Sequence, residues 1–395
     1  MNNEKTENAG KILTRIQLLF SLGVLILLLV VKLGVFVEAL GLILAASICA
    51  VVIITPLVIK FSAKAGAIDY PDERRIHLVP TSRWGGLAVS TGVTVALLLT
   101  SIHYVPNLRA LLTGAYLILL VGLLDDIKRI NVFIKLLVQL VACVILIANG
   151  ICVTFPPAAW WGGVQFQWIV MVLWIVGITN AMNFLDGMDG LLSGLVMGMS
   201  LIYFVLALLL GSNMLAYCSL ALFGAAFAFL GFNIKPVRIF LGDGGSTFFG
   251  FFLAALSVQG GWAEKNPLVS FFIPIFILSV PIYDMVFTTV ARIATRKVTT
   301  FRSWLEYTGK DHLHHRLEAL GLSRGQVVMA ICFLNMGVGL GAITLFEART
   351  YGGITLLIQI ICIYMVIALL EILAMKKTHS MVQGSAVHGS TVGKA

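Results

Sequence analysis

Four polar clusters interrupt an otherwise apolar chain, and each carries side chains that can bind phosphate or a divalent cation. They are LLDDIK at 123–128, NAMNFLDGMDG at 180–190, FLGDGGS at 240–246 and DHLHH at 311–315. In the first cluster the adjacent carboxylates of Asp125 and Asp126 repel each other, and a nearby divalent cation makes such a pair favourable. The alternative is a solvated membrane flank, in which basic neighbours such as Lys128 offset the charge.

The second cluster repeats a polar side chain every three residues. The four residues are Asn180, Asn183, Asp186 and Asp189. On a helix this spacing places them on one face, and Gly187 and Gly190 allow another backbone or a ligand to approach closely. A helix end needs only one such residue as a cap, so the pattern favours a binding site over a structural role.

The third cluster combines a carboxylate with a glycine turn at the start of an apolar segment. Asp243 can ligate a metal, the N–H groups of the turn can bind an anion at a helix N-terminus, and the Phe240 ring can stack on a base. Farther along the chain, Asp284 in the sequence PIYD lies inside an apolar segment, where a carboxylate needs a partner.

The fourth cluster places three histidines beside an arginine: His312, His314, His315 and Arg316. Two interpretations stay open, a zinc site and a pocket in which imidazole and guanidinium groups donate to phosphate oxygens. The sequence has no cysteine close to this cluster, which favours phosphate over zinc. An earlier basic segment with Arg74 and His77 is either part of the same phosphate site or a positive flank of the membrane.

Membrane-spanning helices must position these clusters. The chain is 59% hydrophobic and 11% charged, with a mean hydropathy of +1.00, whereas about a quarter of residues are charged in soluble domains. We predict an all-α polytopic membrane protein, a bundle of about 11 to 12 transmembrane helices of about 20 residues each. Residues 1–37 are expected to form a basic segment and an extra helix, residues 38–376 the main domain, and residues 377–395 a disordered cytosolic tail.

Each apolar stretch between consecutive clusters is long enough for two crossings, so all four clusters return to the same side of the membrane. With the N-terminus in the cytosol, 23 of the 27 basic residues lie on that side, and the other four are Lys32, Arg109, Lys265 and Arg349. This imbalance predicts a cytosol-facing site. It also accounts for the formal net charge of +9, so we expect no nucleic-acid partner.

Carboxylates for Mg²⁺, basic groups for phosphates and a ring for a base together describe a nucleoside diphosphate site. Its position against the bilayer predicts a lipid as the second substrate. A secondary transporter would instead place its carboxylates at the midplane, often in repeated halves, and no internal repeat is evident in this sequence. A structural membrane protein would not need the regularly spaced Asn and Asp residues of the second cluster.

Six motifs in the same order resemble the polyprenyl-phosphate N-acetylhexosamine-1-phosphate transferases of glycosyltransferase family 4. They are PDERRIHLVPTSRWGG, GLLDDIK, NAMNFLDGMDGL, FLGDGGS, PIYD and DHLHHRLEALG, and the last two are more similar to the WecA and TagO branch than to the related MraY branch. The resemblance implies transfer of a sugar-1-phosphate, GlcNAc-1-phosphate in this branch, from a UDP-sugar to undecaprenyl phosphate. The reaction releases UMP, uses Mg²⁺ or Mn²⁺, and forms a lipid-linked diphospho-sugar that initiates synthesis of a cell-envelope polysaccharide.

The resemblance also implies roles for individual residues. Asp243 and Asn183 would bind the metal, while Asp125, Asp126 and His312 would act in catalysis. The implied substrate contacts are Arg74, His77, Lys128, Asn180, Asn183, Asp186, Asp189, Phe240, His314, His315 and Arg316.

The implied location is the bacterial cytoplasmic membrane, where the protein would bind a UDP-N-acetylhexosamine, undecaprenyl phosphate and the lipid bilayer. A homodimer is a candidate assembly. An MraY-type transferase, which uses the larger UDP-MurNAc-pentapeptide donor, stays open as an alternative. The short cytosolic loops favour the smaller donor, since they leave little protein to recognise a peptide.

Overall fold

The computed structural model describes residues 35–70, 80–100, 106–153, 162–262, 267–307, 311–347 and 350–391, together with positions 155, 157 and 309. This part of the chain forms fifteen helices and one small sheet. The first eight helices are α1 (Val35–Ala65), α2 (Gly85–Leu98), α3 (Pro106–Asp125), α4 (Val132–Ala148), α5 (Gly163–Leu185), α6 (Leu191–Leu210), α7 (Asn213–Asn233) and α8 (Gly242–Gln259). The others are α9 (Pro267–Ile277), α10 (Ser279–Ala294), α11 (Phe301–Glu306), α12 (Leu313–Ala319), α13 (Arg324–Gly339), α14 (Gly341–Glu347) and α15 (Thr350–Thr391).

Within these residues, seven helical segments are long and apolar enough to cross a membrane, and a bent pair makes an eighth candidate. The seven are Glu38–Ala65, Asn107–Asp125, Gly163–Leu185, Leu191–Leu210, Asn213–Asn233, Arg324–Phe346 and Gly352–Ile372. Large apolar side chains such as Leu173 and Phe333 are 68% and 72% exposed on the outside of the bundle, where a bilayer would cover them. The prediction of an all-α polytopic membrane protein is confirmed.

Helix α8 lies at the centre of the bundle, because α2, α3 and α5 all pack against it. Its side chains are buried from Gly244 to Ser257. A helix that is apolar on all sides can face either lipid or other helices, and the burial of these side chains shows that other helices surround α8. The N-terminus of this central helix carries Asp243, and the neighbouring helices therefore converge on that carboxylate.

The bent pair replaces a single straight span that the hydropathy predicts over residues 268–291. Helices α9 and α10 meet at Leu278 with an angle of 82° between them. Pro274 lies inside α9 and Pro281 in the first turn of α10, and a proline removes a helical hydrogen bond and crowds the preceding turn. After the bend, α10 carries Asp284 into the region where the polar clusters meet.

The only sheet in the described residues fixes the loop that precedes α8. Strands β1 (Ile68–Asp69) and β2 (Thr81–Ser82) pair antiparallel, and Ser82 forms a parallel bridge with Ile239. The backbone N–H groups of Gly85 and Gly86 donate to the carbonyl oxygens of Phe240 and Leu241 at 3.0 and 2.8 Å. The FLGDGGS motif is thereby attached to the start of α2.

The two ends of the chain differ from the sequence-based domain assignment or lie beyond the description. The extra N-terminal helix predicted within residues 1–37 falls almost entirely on residues 1–34, outside the described part. The sequence predicts a disordered tail from residue 377, whereas α15 continues to Thr391.

Candidate active site

The FLGDGGS motif turns sharply into α8, and the turn requires glycine. Gly242 has φ +73°, a region that favours glycine. A Cβ atom at this position would lie 1.9 Å from the carbonyl oxygen of Arg83 and 2.6 Å from Oδ2 of Asp126. The segments that contain Arg83 and Asp126 therefore pack directly against the glycine turn.

Asp126 binds the N-terminus of α8. Its Oδ1 accepts from the backbone N–H of Asp243 at 3.0 Å, and its Oδ2 accepts from the N–H of Gly244 at 3.3 Å. A carboxylate at this position satisfies two donors that a helix leaves unpaired and interacts favourably with the helix dipole. The sequence suggests that these N–H groups bind a ligand anion, and in the structure the anion that they bind is Asp126.

Lys135, on α4, lies between two carboxylates that the sequence assigns to the site. Its Nζ is 2.5 Å from Oδ2 of Asp125 and 2.8 Å from Oδ2 of Asp243. The other oxygen of Asp125 accepts from the backbone N–H of Ile130 at 2.6 Å. A cationic group is thus held where Asp125 and Asp243 converge. Lys135 is not among the site residues that the sequence predicts.

The second polar cluster divides between the end of α5 and the turn that follows it. Helix α5 ends at Leu185 with Asp186 as its C-cap, so the helical spacing holds for Asn180 and Asn183 only. The amide nitrogen of Asn183 donates to Ser246 Oγ in the first turns of α8 at 2.7 Å. Asn180 lies one turn deeper, where its amide pairs reciprocally with that of the buried Gln139 at 2.9 and 3.4 Å.

Several acidic side chains crowd around Asp186. Burial raises the pKa of Asp186 to about 8, and the neighbouring charges of Asp243, Asp126 and Asp189 add to the effect while Arg83 opposes it. Burial also raises the pKa of Asp126 to about 7, aided by the charge of Asp243 and opposed by the two backbone donors. Carboxylates crowded in this way favour the approach of a cation.

The fourth cluster meets the second through aromatic and imidazole contacts. The rings of Phe184 and His312 stack with centroids 5.3 Å apart, and His312 Nδ1 is 2.8 Å from Asp284 Oδ2. Arg292 binds Asp311, the residue before His312: its Nε and Nη2 donate to the Asp311 carboxylate at 2.9 and 2.6 Å. Burial would raise the pKa of Asp311, but the bonds from Arg292 outweigh it and lower that pKa.

His314 packs against the glycine of the second cluster. A Cβ atom on Gly187 would lie 2.2 Å from His314 Nε2. The group that approaches this glycine is thus an imidazole side chain, whereas the sequence predicts a backbone or a ligand. His314 is 1% exposed. Burial, with the charges of His315, His312 and Arg316, lowers the pKa of His314 to about 3, which keeps the ring neutral at physiological pH.

The remaining residues that the sequence assigns to the site differ in burial and in their partners. Phe240 immediately precedes the turn into α8 and is half-buried, while Lys128 is exposed after the end of α3. His315 lies 3.8 Å from Glu318, and Arg316 is buried between Asp284 and Glu371. Arg74 and His77 lie outside the described residues. Their roles as substrate contacts stay predictions.

The donor set fits a magnesium ion that is shared with a substrate. No group of three or more metal-binding side chains is present within the described part of the chain. Mg²⁺ is usually bound by one or two carboxylates together with substrate phosphates and water. Asp125 and Asp243 provide two hard oxygen donors that already converge on one cation, the Lys135 ammonium, and this convergence meets that requirement.

Comparison with known proteins agrees with the geometry. The model of glycosyl transferase family 4 matches residues 108–261, the region that contains Asp125, Lys135 and Asp243. A probable undecaprenyl-phosphate N-acetylglucosaminyl 1-phosphate transferase of Bacillus subtilis is 35% identical over 333 residues, which cover 83% of this chain and 89% of that protein.

Two further relatives come from other bacteria. A decaprenyl-phosphate N-acetylglucosaminephosphotransferase of Mycobacterium tuberculosis is 32% identical over 309 residues, covering 70% of this chain and 75% of its own length. A phospho-N-acetylmuramoyl-pentapeptide-transferase of Moorella thermoacetica is 30% identical over 320 residues, covering 74% and 94%. Together with the polar residues that converge on the N-terminus of α8, these similarities show that the chain belongs to glycosyl transferase family 4, among the polyprenyl-phosphate N-acetylglucosaminyl 1-phosphate transferases.

Proposed function

We propose that this protein transfers GlcNAc-1-phosphate from UDP-GlcNAc to undecaprenyl phosphate at the cytosolic face of the bacterial cytoplasmic membrane. The observation that carries the proposal is the convergence of Asp125, Lys135 and Asp243 at the start of the central helix. The names of the relatives support a polyprenyl phosphate acceptor and an N-acetylglucosamine phosphate donor. The positive-inside distribution of basic residues supports the cytosolic orientation.

In the reaction, an oxygen of the acceptor phosphate forms a bond to the β-phosphorus of the donor, and the bond from that phosphorus to the bridging oxygen breaks. Negative charge builds on the departing UMP. The Lys135 ammonium is positioned to bind the diphosphate and to stabilise this charge. Asp125 and Asp243 would hold Mg²⁺, which would supply further neutralisation of this charge when bound.

The acceptor does not need a strong general base. The second pKa of a phosphate monoester is near 6, so much of the acceptor is already a dianion at neutral pH. Both oxygens of Asp125 have partners, Ile130 N–H and Lys135 Nζ. We therefore assign to Asp125 the orientation of the cationic groups and of the acceptor.

His312 would contact the phosphates from the fourth polar cluster. Asp284 holds its Nδ1 and Phe184 stacks on its ring, so the direction of Nε2 is fixed. In the structure Nε2 accepts from Arg292 Nη2 at 3.2 Å. A phosphate oxygen that binds beside the imidazole would accept from the same Arg292 donor, which His312 holds in place.

UMP release by the purified, detergent-solubilised protein tests the proposal. We expect turnover with UDP-GlcNAc, undecaprenyl phosphate and Mg²⁺, and loss of turnover with EDTA. Asp243→Asn should abolish it, while Glu38→Gln, at an exposed carboxylate on α1, serves as the matched control. Normal turnover of Asp243→Asn would contradict the assignment of the site.

A comparison of donors tests the branch of the family. UDP-GlcNAc and UDP-MurNAc-pentapeptide share the uridine and the diphosphate, so discrimination has to come from contacts to the sugar. We expect faster transfer from UDP-GlcNAc at equal undecaprenyl phosphate. Faster transfer from the pentapeptide donor would move the protein to the branch of the Moorella relative and leave the roles of Asp243 and Lys135 unchanged.

A further inference from the structure

The last helix of the bundle inserts one carboxylate into the polar interior. Glu371, on α15, is 1% exposed, although ionisable groups within membrane helices are costly to bury without partners. Its Oε2 accepts a hydrogen bond from the Tyr283 hydroxyl at 3.0 Å and lies 3.2 Å from Arg316 Nε. Helix α15 is therefore joined to α10 and α12 by charge as well as by packing.

Arg316 connects Glu371 to a second carboxylate. Its Nη2 is 3.3 Å from Asp284 Oδ1, and its Nη1 donates to the carbonyl oxygen of Asp311 at 3.1 Å. The guanidinium carbon lies 4.1 Å from the centre of the Phe287 ring. A guanidinium fixed on three sides cannot rotate freely, so Arg316 acts as a rigid bridge between Glu371 and Asp284.

Asp284 carries the connection to the candidate site. Besides Arg316, it accepts from the backbone N–H of Leu313 at 2.5 Å and holds His312 Nδ1 at 2.8 Å. One carboxylate thus serves both the arginine and the histidine. If Glu371 did not share Arg316, the guanidinium would move towards Asp284 and compete with His312 for its oxygens.

We propose that Glu371 is a positioning residue for the transferase reaction. By taking part of the Arg316 guanidinium, it keeps Asp284 in the orientation that holds His312 towards the site. The sequence motifs do not reach Glu371, because it lies more than fifty positions after His315 in the chain. The inference rests on the proposed function, in which His312 contacts the phosphates.

Steady-state kinetics of the full-length protein test this role. Glu371→Gln keeps the shape of the side chain and an acceptor for Tyr283 but removes the charge that Arg316 contacts. We expect kcat for UMP release to fall on the order of tenfold, as for other groups that orient a reacting side chain, with KM for UDP-GlcNAc within about twofold. The control is Glu38→Gln, which removes an exposed charge in the first turn of α1. This variant should match wild type.

A double-mutant comparison separates positioning from general stabilisation. If Glu371 acts through His312, Glu371→Gln should cost little further activity in a His312→Ala background, because the residue that it positions is already absent. Single-turnover assays extend the measurement to slow variants. Equal fold-losses in both backgrounds, or a kcat for Glu371→Gln equal to that of wild type, would overturn the proposal.

A second variant covers the case in which Glu371→Gln does not fold. Tyr283→Phe removes only the hydroxyl that donates to Glu371 and keeps the ring that stacks on Tyr364 at 4.5 Å. We expect a smaller loss of kcat, about threefold, with the same unchanged KM, and an unchanged kcat would contradict the role of Glu371. A wild-type protein that releases no UMP would instead contradict the proposed function itself.

Discussion

Removal of the Lys135 ammonium should slow the reaction and at the same time strengthen metal binding. Among the described residues, Lys135 is the only one that forms ion pairs with both Asp125 and Asp243. Lys135→Met keeps the length and the apolar stem of the side chain and removes the charge. The two carboxylates then repel each other without compensation, and an added divalent cation relieves that repulsion.

The size of the effect follows from the distances. At 2.8 Å from Asp243, a unit charge interacts by about 6 kcal/mol if the effective dielectric constant is about 20. The side chains of Lys135 and Asp243 are 27% and 34% exposed, so water screens part of this energy. Loss of one donor to the developing charge typically costs about 2.7 kcal/mol of transition-state stabilisation. This energy corresponds to a loss of kcat of about a hundredfold.

The measurement is UMP release by Lys135→Met, Lys135→Arg and the control Lys60→Met over a range of Mg²⁺ concentrations. We expect Lys135→Met to lose about a hundredfold in kcat and to reach half-maximal rate at a lower Mg²⁺ concentration than wild type. Lys135→Arg should keep the charge and lose less. A Lys135→Met protein with wild-type kcat, or one that needs more Mg²⁺, would refute the reasoning.

Three other variants test the surroundings of the site. In Asp126→Asn an amide replaces one acceptor of the N–H groups of Asp243 and Gly244, so we expect a loss of about 1–3 kcal/mol, seen as a lower unfolding midpoint. Burial lowers the pKa of His314 from 6.5 to about 3 in the folded chain, so below pH 6.5 the unfolded chain binds a proton that the folded chain does not. The free energy of unfolding therefore falls as the pH drops below 6.5, by up to about 1.4 kcal/mol per pH unit. His314→Gln should flatten this decline between pH 6.5 and 5.5, and an unchanged slope would contradict it. Lys128→Cys in a cysteine-free background should resist an impermeant thiol reagent applied from outside the cell. Labelling would contradict the cytosolic orientation of the site.

Hydropathy and motif spacing predict most of the helices, because a long apolar segment in this chain has few alternatives to a membrane helix. The charge-free segment from Leu191 to Phe232 is predicted to contain two crossings with a hinge at Gly211, and α6 and α7 meet there. The bend between α9 and α10 is not predicted, although Pro274 and Pro281 are visible in the sequence. Proline in a membrane helix is frequently tolerated, so its presence alone does not distinguish a kink from an 82° break.

Lys135 shows why part of the site could not be predicted. Its neighbours in α4 are apolar, and a single lysine near a helix end is normally explained by membrane orientation. The signal that could have identified it is its position inside the apolar segment rather than after it, since an intramembrane charge usually has a functional partner. Glu371 carries the same signal. Asp243 lies far from Lys135 in the sequence and Arg316 lies far from Glu371, so only the fold shows that these pairs meet.

The adjacent carboxylates of Asp125 and Asp126 also have different partners, which the sequence alone cannot separate. Asp125 faces Lys135, whereas Asp126 binds the N-terminus of α8 across 117 positions of the chain. Repulsion between neighbouring carboxylates is therefore met by two independent sources of positive potential, an ammonium group and a helix dipole. Because Asp126 binds the first turn of α8, it also fixes the position of Asp243. Asp125 therefore orients the Lys135 ammonium, while Asp126 holds Asp243 where it contacts the same ammonium.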